Sequence, residues 1–210
     1  MRAEGKRCRA RACPLPQKQK LFEAIVGMRA EEVKKTVIIS PIIYPTQLAK
    51  IINQKIDYQR SILGYLTANI GAITFVKTSM TQGAVSDLVK LLVETECAEV
   101  VFIGAIGGLQ SSLKIGDTVE VNTAKNIHSF HSMLDQTIHK LKLLQAKGMI
   151  GIDFESQVFF KEAKKAMLLA QAYYVVTDLP LTKPFYLAKS KDEEEKIQLA
   201  IRKIIQNLLK

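Results

Sequence analysis

The chain predicts an α/β fold: one domain with a mostly parallel, mixed sheet and helices on both of its faces. Three observations carry this expectation. The runs TVIIS, AEVVFI and AYYVVTD are continuously apolar or β-branched, as in strands buried on both sides. Segments with apolar residues at helical spacing separate them, and proline, glycine or polar residues punctuate the junctions. Ligands of such sheets bind beyond the carboxyl ends of the strands, so chemistry is sought after Ile43, Val76, Ile103, Ile152 and Thr177.

The elements follow in order. The run from Thr36 is the first strand, and the turn Pro41 to Pro45 leads into a helix over Thr46 to Lys55, with Leu48, Ile51, Ile52 and Ile56 on one face. Residues 61–79 hold two β-rich runs broken at Asn69 to Gly71, which predicts adjacent strands joined tightly. Gly83 to Glu96 places Val85, Leu88, Leu91, Leu92 and Thr95 on one helical face. Ala98 to Ile103 is a strand expected to end in a glycine-rich turn, GAIGGL, at Gly104 to Leu109. Another strand begins at Asp117, and a polar segment with three histidines runs from Lys125 to Lys147. The strand GMIGID leads into a helix near Glu155, AYYVVTD ends at Asp178, and Ser190 to Leu209 forms an amphipathic helix with Ile197, Ile201, Ile204 and Leu208 aligned.

The net charge of +10 raises the question of a nucleic-acid surface. Residues 1–35 carry ten Lys/Arg against four Asp/Glu, so the basic character is concentrated there and the rest is nearly balanced. Its first twenty residues lack apolar periodicity and the apolar core of a secretory signal, and residues 1–35 are expected to be a disordered extension, with Met28 a sensible alternative start. The domain proper is expected over 36–210, and nucleic acid is not the expected partner. The longest apolar runs are too short to span a bilayer. Three cysteines without paired spacing argue for a cytoplasmic protein rather than a disulfide framework, and Cys97 reads as a small core residue. Cys8 and Cys13 have no partner pair that would bind zinc. His128, His131 and His139 lack an accompanying acidic cluster and read as loop or helix residues, so neither a metal nor a cofactor is expected.

VVFIGAIGGLQSSLKIGDTVEV resembles the central signature of the nucleoside phosphorylase superfamily, a strand ending in G-x-x-G-G-L followed by a Gly-Asp-x-Val strand. GMIGIDFESQVFF is similar to its second signature and AYYVVTD to its third, in the same order over roughly residues 36–210. The resemblance implies a nucleoside phosphorylase-like domain, usually a homo-oligomer, that binds a nucleoside or nucleobase and cleaves the N-glycosidic bond. It implies that Glu155 accepts hydrogen bonds from ribose hydroxyls, that Phe154 packs under the sugar, and that Asp178 is the catalytic acid at the leaving base. Gly104, Ala105 and Gly107 of the central signature, and Met80 and Thr81 of a loop that is G-x-G in the family, complete the implied binding site. A carboxylate suits paired hydroxyls because it offers several acceptor positions. A partly desolvated carboxyl can protonate a departing base.

The departures from the pattern are specific. Phosphorolytic members hold phosphate with an Arg and a Ser or Thr flanking the first glycine; Phe102 and Ala105 stand at those places and can neither neutralise nor donate to an anion. The early phosphate turn reads SPIIY over Ser40 to Tyr44, and it also lacks the glutamate with which hydrolytic members activate water. Hydrolysis is therefore favoured over phosphorolysis. The alternative is a catalytically inactive domain of the same fold that binds a nucleoside or another small molecule.

Overall fold

Strand β1 (Thr36–Ser40) alternates its side chains between two cores, as expected of a strand covered on both faces. Val37 and Ile39 enter one apolar cluster and Ile38 the other. The computed structural model describes residues 15–209, and the sheet it shows has nine strands. The remaining strands are β2 (Gln59–Arg60), β3 (Leu66–Ile70), β4 (Ile73–Lys77), β5 (Glu99–Gly108), β6 (Thr118–Val121), β7 (Ile127–Ser129), β8 (Gly151–Asp153) and β9 (Leu169–Asp178). The helices are α1 (Leu15–Val26), α2 (Pro45–Ile52), α3 (Gln82–Leu91), α4 (Ile138–Ala146), α5 (Ser156–Lys165) and α6 (Lys191–Leu208).

The sheet runs β2-β3-β4-β1-β5 and then divides. The first part of β5 lies between β1 and β9, both parallel to it; its end, at Gly107 and Gly108, pairs antiparallel with β8. Strand β8 pairs with β7, and β9 continues to the antiparallel β6. Helices α1, α3 and α5 cover one face around Phe22, Val26, Leu88, Phe102 and Phe159. Helices α2 and α6 cover the other around Leu48, Ile197, Ile201 and Ile205. The mixed sheet between two helical layers is the architecture the sequence predicts.

Local chemistry fixes the boundaries. Pro45 opens α2 at a position where its missing N–H costs nothing, and Asn53, left-handed at φ 53°, ends it. The β3–β4 hairpin turns at Gly71, whose φ of 56° is open to glycine. Ser190 and Glu193 form a reciprocal cap that starts α6. Cys97 is buried, with its thiol pushed up to about 11 by burial, as a core cysteine should be.

Two expectations fail. The extension expected to be unstructured through residue 35 contributes α1, whose Phe22 and Val26 are fully buried, and Met28 and Val33 are core residues too. The folded body therefore starts before Met28; residues 1–14, with Cys8 and Cys13, lie outside the described residues. The apolar positions of α1 lie within a polar, basic sequence, so only packing against α3 and the sheet reveals them. The glycine-rich stretch from Gly104 is likewise not a turn, because β5 runs through Gly104, Gly107 and Gly108. Two neighbouring strands hydrogen-bond this stretch, and such pairing overrides local glycine preference.

Candidate functional site

At the carboxyl ends of β5, β8 and β9 lies an open cleft of about 240 Å³. Of the residues expected at a site, it brings together Met80, Ala105, Gly107, Phe154, Glu155 and Asp178. Gly104 and Thr81 are not among its lining residues. A Cβ on Gly104 would stand 2.5 Å from the Phe102 ring, so that glycine admits a core side chain rather than a ligand. Thr81 caps α3, accepting the Ala84 N–H at 3.2 Å.

Glu155 occupies the cap position of α5 but makes no side-chain capping bond there. Asp153 takes that task, accepting the Ser156 backbone N–H at 2.9 Å. The turn is thereby held from below, and the Glu155 side chain is left for the cleft. It is 4% exposed, and its Oε1 has no hydrogen-bond partner. A solvated helix-terminal carboxylate would look different on both counts. Burial first, and the neighbouring Asp153 second, push its carboxyl up to about 8. A buried polar atom without a partner is costly, and a ligand hydroxyl at Oε1 would relieve that cost.

Asp178 reaches the opposite wall through an irregularity. Between β5 and β9 the register slips between Ile106 and Gly107, so that Gly107 faces Asp178 while Ile106 faces Val176. Thr177 is the extra residue, and such a bulge re-aims the side chain that follows it. Asp178 is 8% exposed and accepts the Thr177 hydroxyl at 3.2 Å. Burial raises its carboxyl above the ordinary aspartate value, against the lowering effects of the Thr177 bond, nearby Lys189 and the Phe185 backbone N–H. The Phe185 bond also makes Asp178 an anchor for the loop that follows it. Pro180 of that loop crosses β5 so closely that a Cβ on Gly107 would stand 2.6 Å from its Cγ.

The other wall is apolar. Pro41 and Ile42 come from the turn after β1, Ala105 and Ile106 from β5, and no lysine, arginine or histidine lines the cleft. Phe102 does not reach it: the ring is fully buried, 5.2 Å from that of Phe159 and 5.9 Å from that of Tyr174. Among the described residues, no group of three or more His, Cys, Asp or Glu is arranged to hold a metal. His128 lies on β7 against Phe130, ring centroids 4.7 Å apart, while His131 and His139 are exposed.

Sequence reasoning missed Asp153, Thr177, Phe185, Met133 and Gln136 as lining residues. Asp153 sits inside the quoted GMIGIDFES run, where its spacing from Glu155 was the available signal. Met133 and Gln136 arrive on a short 3-10 turn at Met133–Asp135, in a polar segment that has no periodicity to read.

No family model matches the sequence, and no curated protein resembles it significantly in sequence. Solved structures do resemble the fold. A uridine phosphorylase from Vibrio fischeri ES114 matches with a TM-score of 0.71 at 13% identity, over 85% of this chain and 91% of that one. An AMP nucleosidase from Bacteroides thetaiotaomicron VPI-5482 gives 0.67 at 12% identity, over 91% and 99%. A purine nucleoside phosphorylase from Toxoplasma gondii, in complex with immucillin-H, gives 0.68 at 16% identity, over 88% and 95%. The chain shares its fold with these uridine phosphorylase, AMP nucleosidase and purine nucleoside phosphorylase structures.

Proposed function

We propose that this protein cleaves the N-glycosidic bond of a nucleoside or nucleoside-like molecule, with water as the acceptor of the sugar. The observation that carries the reading is the meeting of two buried carboxyls across one open cleft. Glu155 lines it with a carboxyl whose Oε1 is buried without a partner, and Asp178 has a raised proton affinity. The cleft is slightly smaller than the ~300–1,000 Å³ range of drug-sized ligand sites, which suits a molecule of nucleoside size.

In this reading Glu155 holds the ribose hydroxyls and Phe154 packs beside the sugar. Asp178, whose proton affinity burial raises, is the group that donates to the base as the bond breaks and negative charge accumulates on it. The rate should fall as pH rises through the Asp178 value, because the donating form is then lost. Phosphate has no cation to meet on the lining, so water is the favoured acceptor. The fold neighbours include both phosphorylases and a nucleosidase, and the domain is further proposed to be a cytoplasmic homo-oligomer.

A second reading, a nucleoside-binding domain without catalysis, is favoured by one feature. The turn after β1 brings Pro41 and Ile42 to the cleft, and neither can activate a water molecule. A panel of purine and pyrimidine nucleosides, assayed without phosphate, separates the two. Release of free base supports the enzyme. A rise in melting temperature without turnover supports the binding domain, since a ligand of the folded state stabilises that state. Neither response to any nucleoside overturns both, and a rate that requires phosphate overturns the assignment of water.

A further inference from the structure

Asp153 and Glu155, two residues apart on the β8–α5 turn, receive unequal numbers of hydrogen-bond donors. Asp153 accepts the Ser129 hydroxyl at 2.6 Å, the Ser156 backbone N–H at 2.9 Å and the Ser156 hydroxyl. Burial pushes the Asp153 carboxyl up, and the Ser129 and Ser156 donors oppose that rise. Ser129 is itself fixed by the Gln157 N–H at 3.0 Å. Because the Ser156 hydroxyl gives its hydrogen to Asp153, only its lone pairs remain for Tyr174, whose hydroxyl therefore donates to it. Tyr174 is fully buried in the core beneath the turn. Glu155 accepts one backbone N–H, that of Phe154, and its Oε1 accepts nothing.

Two neighbouring buried carboxyls do not both carry charge readily, and the one surrounded by donors keeps it. We propose that the chain Tyr174–Ser156–Asp153–Ser129 is a proton-placing device: it holds the negative charge on Asp153 and the proton on Glu155, which releases that proton when ligand hydroxyls donate to it. Tyr174 and Ser156 then act as positioning residues. The other titratable groups around Glu155 fit this arrangement. Asp178 lies across the cleft with Lys189 behind it, His128 stands on β7 beyond Asp153, and burial keeps the Tyr174 phenol in its protonated form. The raised proton affinity of Glu155, with Asp153 as one of its causes, is the expected electrostatic counterpart.

The inference rests on the nucleoside reading only for the identity of the ligand, so the test has a ligand-free arm. Carboxyl-carbon NMR of glutamate-labelled protein, with the Glu155 resonance assigned through Glu155→Gln, reads its titration directly. The midpoint should lie near 8 in the unaltered protein. It should fall by on the order of one pH unit in Tyr174→Phe and in Ser156→Ala, as Asp153 loses support and takes the proton instead. A purely structural role would lower the melting temperature and leave the midpoint in place. The ligand arm is calorimetry of inosine and of hypoxanthine with the slowly cleaving Asp178→Asn variant near neutral pH, in buffers of different ionisation enthalpy. Inosine should release about one proton and hypoxanthine none, because only the sugar meets Glu155. A Glu155 midpoint near the ordinary 4.5, or one that neither variant moves, overturns the device whatever the ligand. Failure of every nucleoside in a purine and pyrimidine panel to bind, with the midpoint shifts intact, overturns the nucleoside reading and leaves the device standing.

Discussion

On one side of the cleft, the ends of β8 and β9 and the turn after β8 deliver Asp153, Asp178 and Glu155, three carboxyls that are each less than a tenth exposed. On the other side, the turn after β1 and the middle of β5 deliver Pro41, Ile42, Ala105 and Ile106, with neither charge nor side-chain donor. Both sides sit at the carboxyl ends of strands in the same sheet, so topology alone does not distinguish them. The difference lies in what each side has to bind. Buried carboxyls need donors, which hydroxyls and N–H groups of a neutral ligand supply, whereas an anion needs cations and donors that the second side does not have.

The largest expected effect is on the acidic side. Asp178→Asn should lower nucleoside cleavage by about two to four orders of magnitude, the usual scale for losing a general acid, while binding of the nucleoside changes little. A loss of less than tenfold in steady-state rate would move the proton donor elsewhere.

The place of Phe102 in the core rather than in the cleft is tested through stability. Phe102→Ala should cost about 3–5 kcal/mol in denaturant unfolding, because its ring is enclosed by Phe159 and Tyr174. A cost below about 1 kcal/mol would mean that the ring is not core.

Next in size is Glu155→Ala, expected to weaken nucleoside binding by about 1.5–3 kcal/mol and free-base binding hardly at all. Equal losses for both ligands would remove the sugar from Glu155.

Glu155 also carries a pH signature of stability. Its carboxyl has an ordinary value of 4.5 and is raised to about 8 in the fold. The stability it contributes is thus complete below 4.5, declines as the unfolded chain ionises, and is lost as pH rises through about 8. Glu155→Gln should therefore melt several degrees above the unaltered protein at alkaline pH and close to it in acid. Identical pH profiles in a melting series would contradict the burial of that charge.

The smallest expected effect is that of added phosphate, which should leave the rate of cleavage nearly unchanged. A hyperbolic dependence on phosphate would show that the apolar side is completed by a group outside the described cleft.

The sequence by itself determined the order of the main strands and helices from β1 onward, though not α1, β2, β7 or α4, and the two-sided burial of β1, β5 and β9; its motifs made Glu155 and Asp178 candidates. The elements follow from local periodicity, a property of a short window, whereas the two acids became candidates only through motifs that resemble a known family's signatures. Tertiary structure alone decided that the glycines from Gly104 continue a strand, that Phe102 belongs to the core, and that α1 packs Phe22 and Val26 into that core. It also decided the bulge at Thr177 that turns Asp178 into the cleft, and the crossing of Pro180 that Gly107 permits. The chain of hydroxyls beneath Glu155 joins residues from β7, β9 and α5 that lie far apart in sequence. Strand register, close backbone crossings and shared buried donors depend on which distant segments meet, and no local pattern of residues records that meeting.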